Sequence, residues 1–231
     1  MPHTILAFGP HPDDIELGLG GTIAALVQQG HRVVLVDMTS GEPTPFGDEN
    51  IRPREAALAA GILGVTRVAL GLKNREVVAT LDARHRVAAL LRQYRPEIIF
   101  LPYPQDAHPD HLACTRIIED ARFDAKLTQV AIPGMPFHCR RLIYYFCTHL
   151  RALPAAALAF DISAHMPQKL AALECYQSQF YTGRIGPDAG AVIRQVTTAN
   201  AYFGGLIGRE YAEPLAVQEL LGVDSVAGWL I

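Results

Sequence analysis

A histidine and two adjacent carboxylates sit on a proline-containing turn, Gly9-Pro10-His11-Pro12-Asp13-Asp14. The apolar run before it, Thr4-Ile5-Leu6-Ala7-Phe8, reads as a buried strand. A second cluster, His108-Pro109-Asp110-His111, follows the apolar segment Glu97-Ile98-Ile99-Phe100-Leu101-Pro102. Imidazoles and carboxylates just past two strand ends suggest one split site for a divalent metal, with a base beside it. Two imidazoles and one carboxylate suit Zn2+ with an open fourth position, and Fe2+ accepts the same donors. A neighbouring carboxylate that is not a ligand can take a proton from an attacking water and pass it to a leaving amine. Adjacent residues point in different directions, so one of Asp13 and Asp14 can hold the metal while the other faces substrate. His108 and His111 lie three apart at a helix start, close to one face. One of them can hold the metal while the other, oriented by Asp110, faces a developing oxyanion.

The elements that must position these residues alternate. Strands are expected at 4–9, 31–38, 67–70 and 97–102, with helices at 18–29, 53–63, 81–94 and 109–122. The second strand is nearly all apolar, as a parallel strand buried on both faces should be. Pro53 suits a first helical turn, and Gly30 suits a helix C-cap. This rhythm predicts an α/β fold with a doubly wound, mostly parallel sheet. In the common order 3-2-1-4, ligands bind where the order reverses, between strands 1 and 4. Those strands carry the two clusters, so topology and motif predict the same site. Beyond residue 125 the rhythm loosens into strands near 141–146 and 158–162 and helices near 165–178 and 189–207. A single domain over 1–231 is expected, with a regular core at 1–125 and a less regular C-terminal extension at 126–231.

Composition narrows the function classes. The 231 residues are 50% hydrophobic and 19% charged, with a net charge of −3 and no block of like charge. A nucleic-acid partner is therefore not expected. No run approaches the roughly 18 apolar residues of a membrane span, and the first strand begins without a signal-like leader, so a cytoplasmic protein is expected. Cys114, Cys139, Cys147 and Cys175 form no C-x-x-C pair and read as reduced, semi-buried side chains.

The motifs resemble the PIG-L/LmbE-like family of zinc N-deacetylases. The pattern His-Pro-Asp-Asp-x-Glu-x-Gly-x-Gly-Gly is met in full from His11 to Gly21, and His-Pro-Asp-His in full at 108–111. Thr39-x-Gly41-Glu42, Arg52-x-x-Glu55-Ala56, Ile62-Leu63-Gly64-Val65 and Gly208-x-x-Tyr211-Ala212-Glu213-Pro214 are also similar. Within the family the chain looks closest to the bacillithiol-type N-acetylglucosaminyl-malate deacetylases, on the Thr39–Glu55 spacing and Asn74-Arg75. The resemblance implies hydrolysis of the N-acetyl group of a small amino-sugar substrate, with zinc on His11, Asp14 and His111. It implies Asp13 as base and then acid, and His108 paired with Asp110 beside the tetrahedral intermediate. It further implies Arg52 on the substrate, and a homo-oligomer, often a hexamer.

Each assignment has a plainer alternative. Asp13 could form an Asx-turn, Asp110 could cap a helix, and Arg52 could pair with Glu55. Glu16 could support the metal loop or simply favour a helix start. Arg75, Tyr202, Tyr211 and Glu213 fit packing or subunit contacts as well as a site, and His3, His31, His85, His138, His149 and His165 read as structural or solvent-facing. A dinucleotide-binding oxidoreductase would use the glycines at 18, 20 and 21 and Asp37, but Gly18-Leu19-Gly20-Gly21-Thr22-Ile23 departs from G-x-G-x-x-G. A non-catalytic metal- or sugar-binding module would not need Asp13 and His108. An amidase of the same mechanism, acting on a thiol conjugate or glycosylated metabolite, is the remaining alternative.

Overall fold

The computed structural model describes residues 2–150 and 152–222. Seven strands are found there: β1 (Thr4–Gly9), β2 (Arg32–Thr39), β3 (Thr66–Leu72), β4 (Ile98–Pro102), β5 (Arg141–Tyr145), β6 (Leu158–Asp161) and β7 (Ala212–Ala216). They form one sheet in the order β3-β2-β1-β4-β5-β7-β6. Strands β1 to β5 pair in parallel, and β7 runs antiparallel between β5 and β6. The expected reversal between the first and fourth strands is present, with Ile5 opposite Val33 on one side and Ile98 on the other.

Alternation along the strands divides the core in two. Ile5, Ala7, Val33 and Leu35 face α1 (Asp14–Gln28), α2 (Ile51–Leu63), α5 (Met166–Glu174) and α7 (Ala191–Leu206). Leu6, Phe8, Val34 and Val36 face α3 (Leu81–Tyr94) and α4 (Pro109–Ala125). Between α5 and α7 lies the single turn α6 (Gln177–Phe180).

Three elements differ from the sequence expectation. Helix α1 begins at Asp14 rather than near residue 18, with Asp13 at its N-cap and Asp14 and Glu16 in its first turn, where carboxylates complement the helix dipole. The helix expected over 165–178 breaks at Cys175–Tyr176, because the buried Tyr176 turns inward to donate its hydroxyl to Glu16 at 2.8 Å. Strand β7 was not expected, since Pro214 removes a ladder donor from its middle. Its Glu213 is fully buried and accepts from Gly21 N–H, Thr22 N–H and Lys169 Nζ, tying the strand to α1 and α5. Lys169 Nζ also donates to Leu17 O and Asn200 Oδ1, so this buried charge pair is fully hydrogen-bonded.

Candidate metal and catalytic site

The turn after β1 and the start of α4 meet at the C-terminal edge of the sheet. One ligand atom each from His11, Asp14 and His111 lies within 4.8 Å of the others, and all three residues are buried. His11 sits at the turn with its backbone N–H donated to Asp14 Oδ2 at 3.1 Å. His111 lies in the first turn of α4, with Nδ1 held by Asp106 Oδ2 at 3.0 Å. Its other nitrogen, Nε2, is buried without a hydrogen bond and stands 3.4 Å from Asp14 Oδ2. An unpartnered buried imidazole nitrogen is costly, and a cation among these three donors would satisfy it. The residues present therefore fit a divalent metal.

Two other donor groups lie nearby, and both are less suited. In His11, His108 and Asp110, His108 Nδ1 already accepts Asp110 N–H at 3.1 Å, and Asp110 Oδ2 accepts Arg75 N–H at 2.7 Å. In Asp106, His111 and Cys147, burial pushes the Cys147 thiol up to about 11, so it stays protonated at neutral pH.

The charges within the site are strongly coupled. Burial opposes ionisation of Asp14, yet His111 and His11 beside it hold its carboxyl well below the usual range. Burial also disfavours the charged form of His11, but Asp110 and Asp14 raise it to about 9. His111 is raised in the same manner, by Asp14 and Asp106 against burial. Without a metal, the two rings thus hold protons that a cation would displace.

Asp13 is different. It adopts φ 112°, a strained conformation for a residue with a Cβ, and burial pushes its carboxyl up to about 7 against the pull of Arg52. A buried carboxyl near neutrality is suited to move a proton at physiological pH. The ring of His108 stands 4.9 Å from that of His11. Burial and the neighbouring His11 and His111 lower its pKa, favouring the neutral ring. With Nδ1 accepting from Asp110 N–H, the proton of the neutral ring falls on Nε2.

The expected pairing of His108 with Asp110 takes another form, and the alternative pairing of Arg52 with Glu55 is not formed. Asp110 engages His108 through its backbone N–H, as the N-cap geometry of α4 requires, while its carboxylate faces His11 Nε2 at 3.2 Å. Arg52 does not pair with Glu55. Its Nε and Nη2 donate to Pro12 O, Nη1 to Gly41 O, and Nη2 also to Asp13 Oδ2 at 3.1 Å. Arg52 is 4% exposed; it braces the turn that carries His11 to Asp14 and also lines the cleft described below. Gly41 has φ +75°, and a Cβ there would meet the Arg52 guanidinium at 2.5 Å, so this close approach requires glycine. Glu55 instead accepts from Ser178 N–H and Oγ–H, fixing the segment that carries Gln179.

A cleft of about 270 Å3 opens over these groups. Its polar wall includes Asn74, Arg75, Gln179 and Arg184. Arg75 donates to Pro43 O, whereas Arg184 has no side-chain partner among the described residues. Glu16, Tyr202, Tyr211 and Glu213 do not line the cleft. Asp106, Gln179 and Arg184 are residues that sequence reasoning passed over, and His149, read there as structural or solvent-facing, lines the cleft. His149 lies on the segment after β5, its ring 5.5 Å from that of His111. No motif marks it, but Asp106 stands two residues before His108, close enough for an Asx-type turn that a search of the loop would have found.

Comparison with known proteins bears on the family and the fold. The family of GlcNAc-PI de-N-acetylases (PIG-L) matches residues 6–122. The diacetylchitobiose deacetylase of Thermococcus kodakarensis is 30% identical over 90% of this chain and 80% of its own length. A conserved protein of Thermus thermophilus superposes with a TM-score of 0.87 at 32% identity, over 96% of this chain and 98% of that one. The N,N'-diacetylchitobiose deacetylase of Pyrococcus horikoshii, solved with an inhibitor, gives a TM-score of 0.79 at 25% identity over 93% and 83%. With both motifs inside the matched span, the chain belongs to the PIG-L de-N-acetylase family.

Proposed function

We propose that this protein is a zinc-dependent hydrolase that removes the N-acetyl group from an N-acetylglucosamine derivative, giving acetate and a free amine. The observation that carries the reading is geometric: Asp13, held by Arg52, lines the cleft beside a buried His11–Asp14–His111 donor set in which Nε2 of His111 lacks a partner. Bound zinc would supply Lewis-acid polarisation of the amide carbonyl. Asp13 takes a proton from the attacking water and returns it to the departing nitrogen, so that the amine leaves neutral. Arg52 holds the turn and keeps Asp13 oriented. His108, protonated on Nε2, donates to the oxyanion that forms as the carbonyl becomes tetrahedral. Asn74, Arg75 and Arg184 offer donors, and Gln179 Oε1 an acceptor, to a hydroxyl-rich sugar.

The test is free-amine release by the zinc-loaded protein from N-acetylglucosaminyl malate, diacetylchitobiose, N-acetylglucosaminyl inositol and N-acetylglucosamine. Chelator-sensitive turnover is expected, and the preferred member identifies the aglycone. Reconstitution with iron(II) under anaerobic conditions compares the second metal that suits these donors. No amine release from any of the four by metal-loaded protein would refute the reading.

A further inference from the structure

A second cavity, of about 230 Å3, adjoins the catalytic cleft, and Leu17 and Thr148 line both. No charged residue lines it among those described. Its walls are the segment after β5, with Phe146 and Leu153, and the inner face of α7, with Val196 and Phe203. Asn200 also lines it, but both ends of that amide are satisfied, by Lys169 Nζ and Ala212 O. Among the other described lining residues the buried Leu17, Val196, Phe203 and Pro214 are apolar, while the half-buried Thr148 and the exposed Gln195 are polar. An apolar chain lying along the buried lining would lose water on that side.

Strand order places this cavity relative to the reaction. The metal donors come from the loops after β1 and β4, at the centre of the sheet. Asn74 and Arg75 follow β3, and Gln179 reaches toward Thr44 in the loop after β2, so the polar wall lies on the β2–β3 side. The apolar cavity lies on the other side, where β5 follows β4. An amide bridging the centre has two ends. Its sugar nitrogen suits the polar wall, which leaves the substituent on the carbonyl carbon directed past Leu17.

We propose that this cavity is an acyl subsite, and that the enzyme hydrolyses N-acyl amino sugars with chains longer than acetyl. The inference rests on the N-deacetylase reading and deepens it. The bond changes are those of amide hydrolysis. The C–N bond breaks, the oxygen of water joins the acyl carbon, the amine takes a proton, and a fatty acid of the same length leaves.

The experiment measures kcat/KM of the zinc-loaded full chain for N-acetyl-, N-butyryl-, N-hexanoyl- and N-octanoylglucosamine. From acetyl to hexanoyl an increase of at least about tenfold is expected, since buried methylenes each favour binding. Ala199 is exposed at the rim of the cavity, so Ala199→Trp adds bulk there without disturbing the core. It is expected to lower the hexanoyl-to-acetyl ratio of kcat/KM at least about tenfold. A wild-type rate that falls steadily with chain length, beside clear acetyl turnover, would overturn the acyl subsite alone. A ratio unchanged in Ala199→Trp, together with a lost oligomer in sedimentation, would overturn it too and assign the groove to a second copy of the chain. No turnover of any member would overturn the deacetylase reading and this inference with it.

Discussion

Asp106 Oδ2 lies 3.0 Å from His111 Nδ1, and the same carboxylate takes the backbone N–H of His108 at 2.8 Å through Oδ1. One buried side chain thereby fixes both histidines of the second motif. By accepting the Nδ1 proton, Asp106 leaves the lone pair of a neutral His111 on Nε2, facing Asp14 and His11. Asp106→Ala is expected to weaken zinc binding by about 10- to 100-fold, measured by competition with a chromogenic chelator. Asp106→Asn, whose side-chain oxygen can still accept, should recover most of that loss. Equal affinity in wild type and Asp106→Ala would remove the orienting role.

Asp13→Asn separates metal binding from proton transfer. The amide is nearly isosteric and can still accept from Arg52, so the turn should persist. Metal content by elemental analysis should match wild type, while turnover falls by about 10^2- to 10^4-fold. His111→Ala should lose both metal and turnover. Near-wild-type activity in Asp13→Asn would exclude it as the proton carrier.

Much of this site was legible because its residues are local in sequence. His11 to Asp14 and His108 to His111 are compact motifs, and the near-continuous apolar run in β2 reports a parallel strand buried on both faces. That run, with the alternating helices, was enough to place β1 beside β4. What stayed hidden depends on distant partners. Nothing near Arg52 announces that the carbonyls of Pro12 and Gly41 will take its donors. His149 belongs to no motif, and only the return of β5 beside β4 brings it to the cleft. Strand β7 was concealed by Pro214, whose missing donor is tolerated beside the buried Glu213 contacts. The break between α5 and α6 follows from Tyr176 reaching Glu16, a contact that helical periodicity does not encode.

The ionic cluster beneath the site is one such distant contact, and it makes a stability prediction. Arg67 on β3 donates to Asp37 at 2.6 and 2.8 Å and to Glu16, while Tyr176 also donates to Glu16. Glu16 is fully buried and Asp37 nearly so. Arg67→Ala would leave two buried carboxylates without their cation, which costs about 3–5 kcal/mol. At about 2–4 °C per kcal/mol for a chain of this size, Tm should fall by roughly 6–20 °C. Arg67 touches no metal donor, so zinc affinity measured well below Tm should change little. A Tm within 2 °C of wild type would show that water reaches and screens the cluster.

The opposite pH responses of the metal-free and zinc-loaded protein test the ligand set directly. In the metal-free protein, His11 is raised from 6.5 to about 9 and His111 is raised as well. Each contributes stability that is fully present below 6.5 and is lost as pH rises toward its folded value. Asp13, raised from 3.8 to about 7, acts in the same direction, its contribution declining as pH climbs through 7. His108 is lowered from 6.5, so its opposing titration is essentially complete above that value. Metal-free protein should therefore lose stability from pH 6.5 to 9. Zinc must displace protons from His11 and His111, so its affinity rises over the same interval. At zinc concentrations near 100 times Kd the added stability is about 2.7 kcal/mol. The zinc-induced rise in Tm at fixed free zinc should accordingly grow with pH, and calorimetric titration in buffers of different ionisation enthalpy should report proton release on binding. A zinc-induced rise that shrinks toward pH 9, with no proton release near neutrality, would mean that the metal is held by donors other than these two histidines.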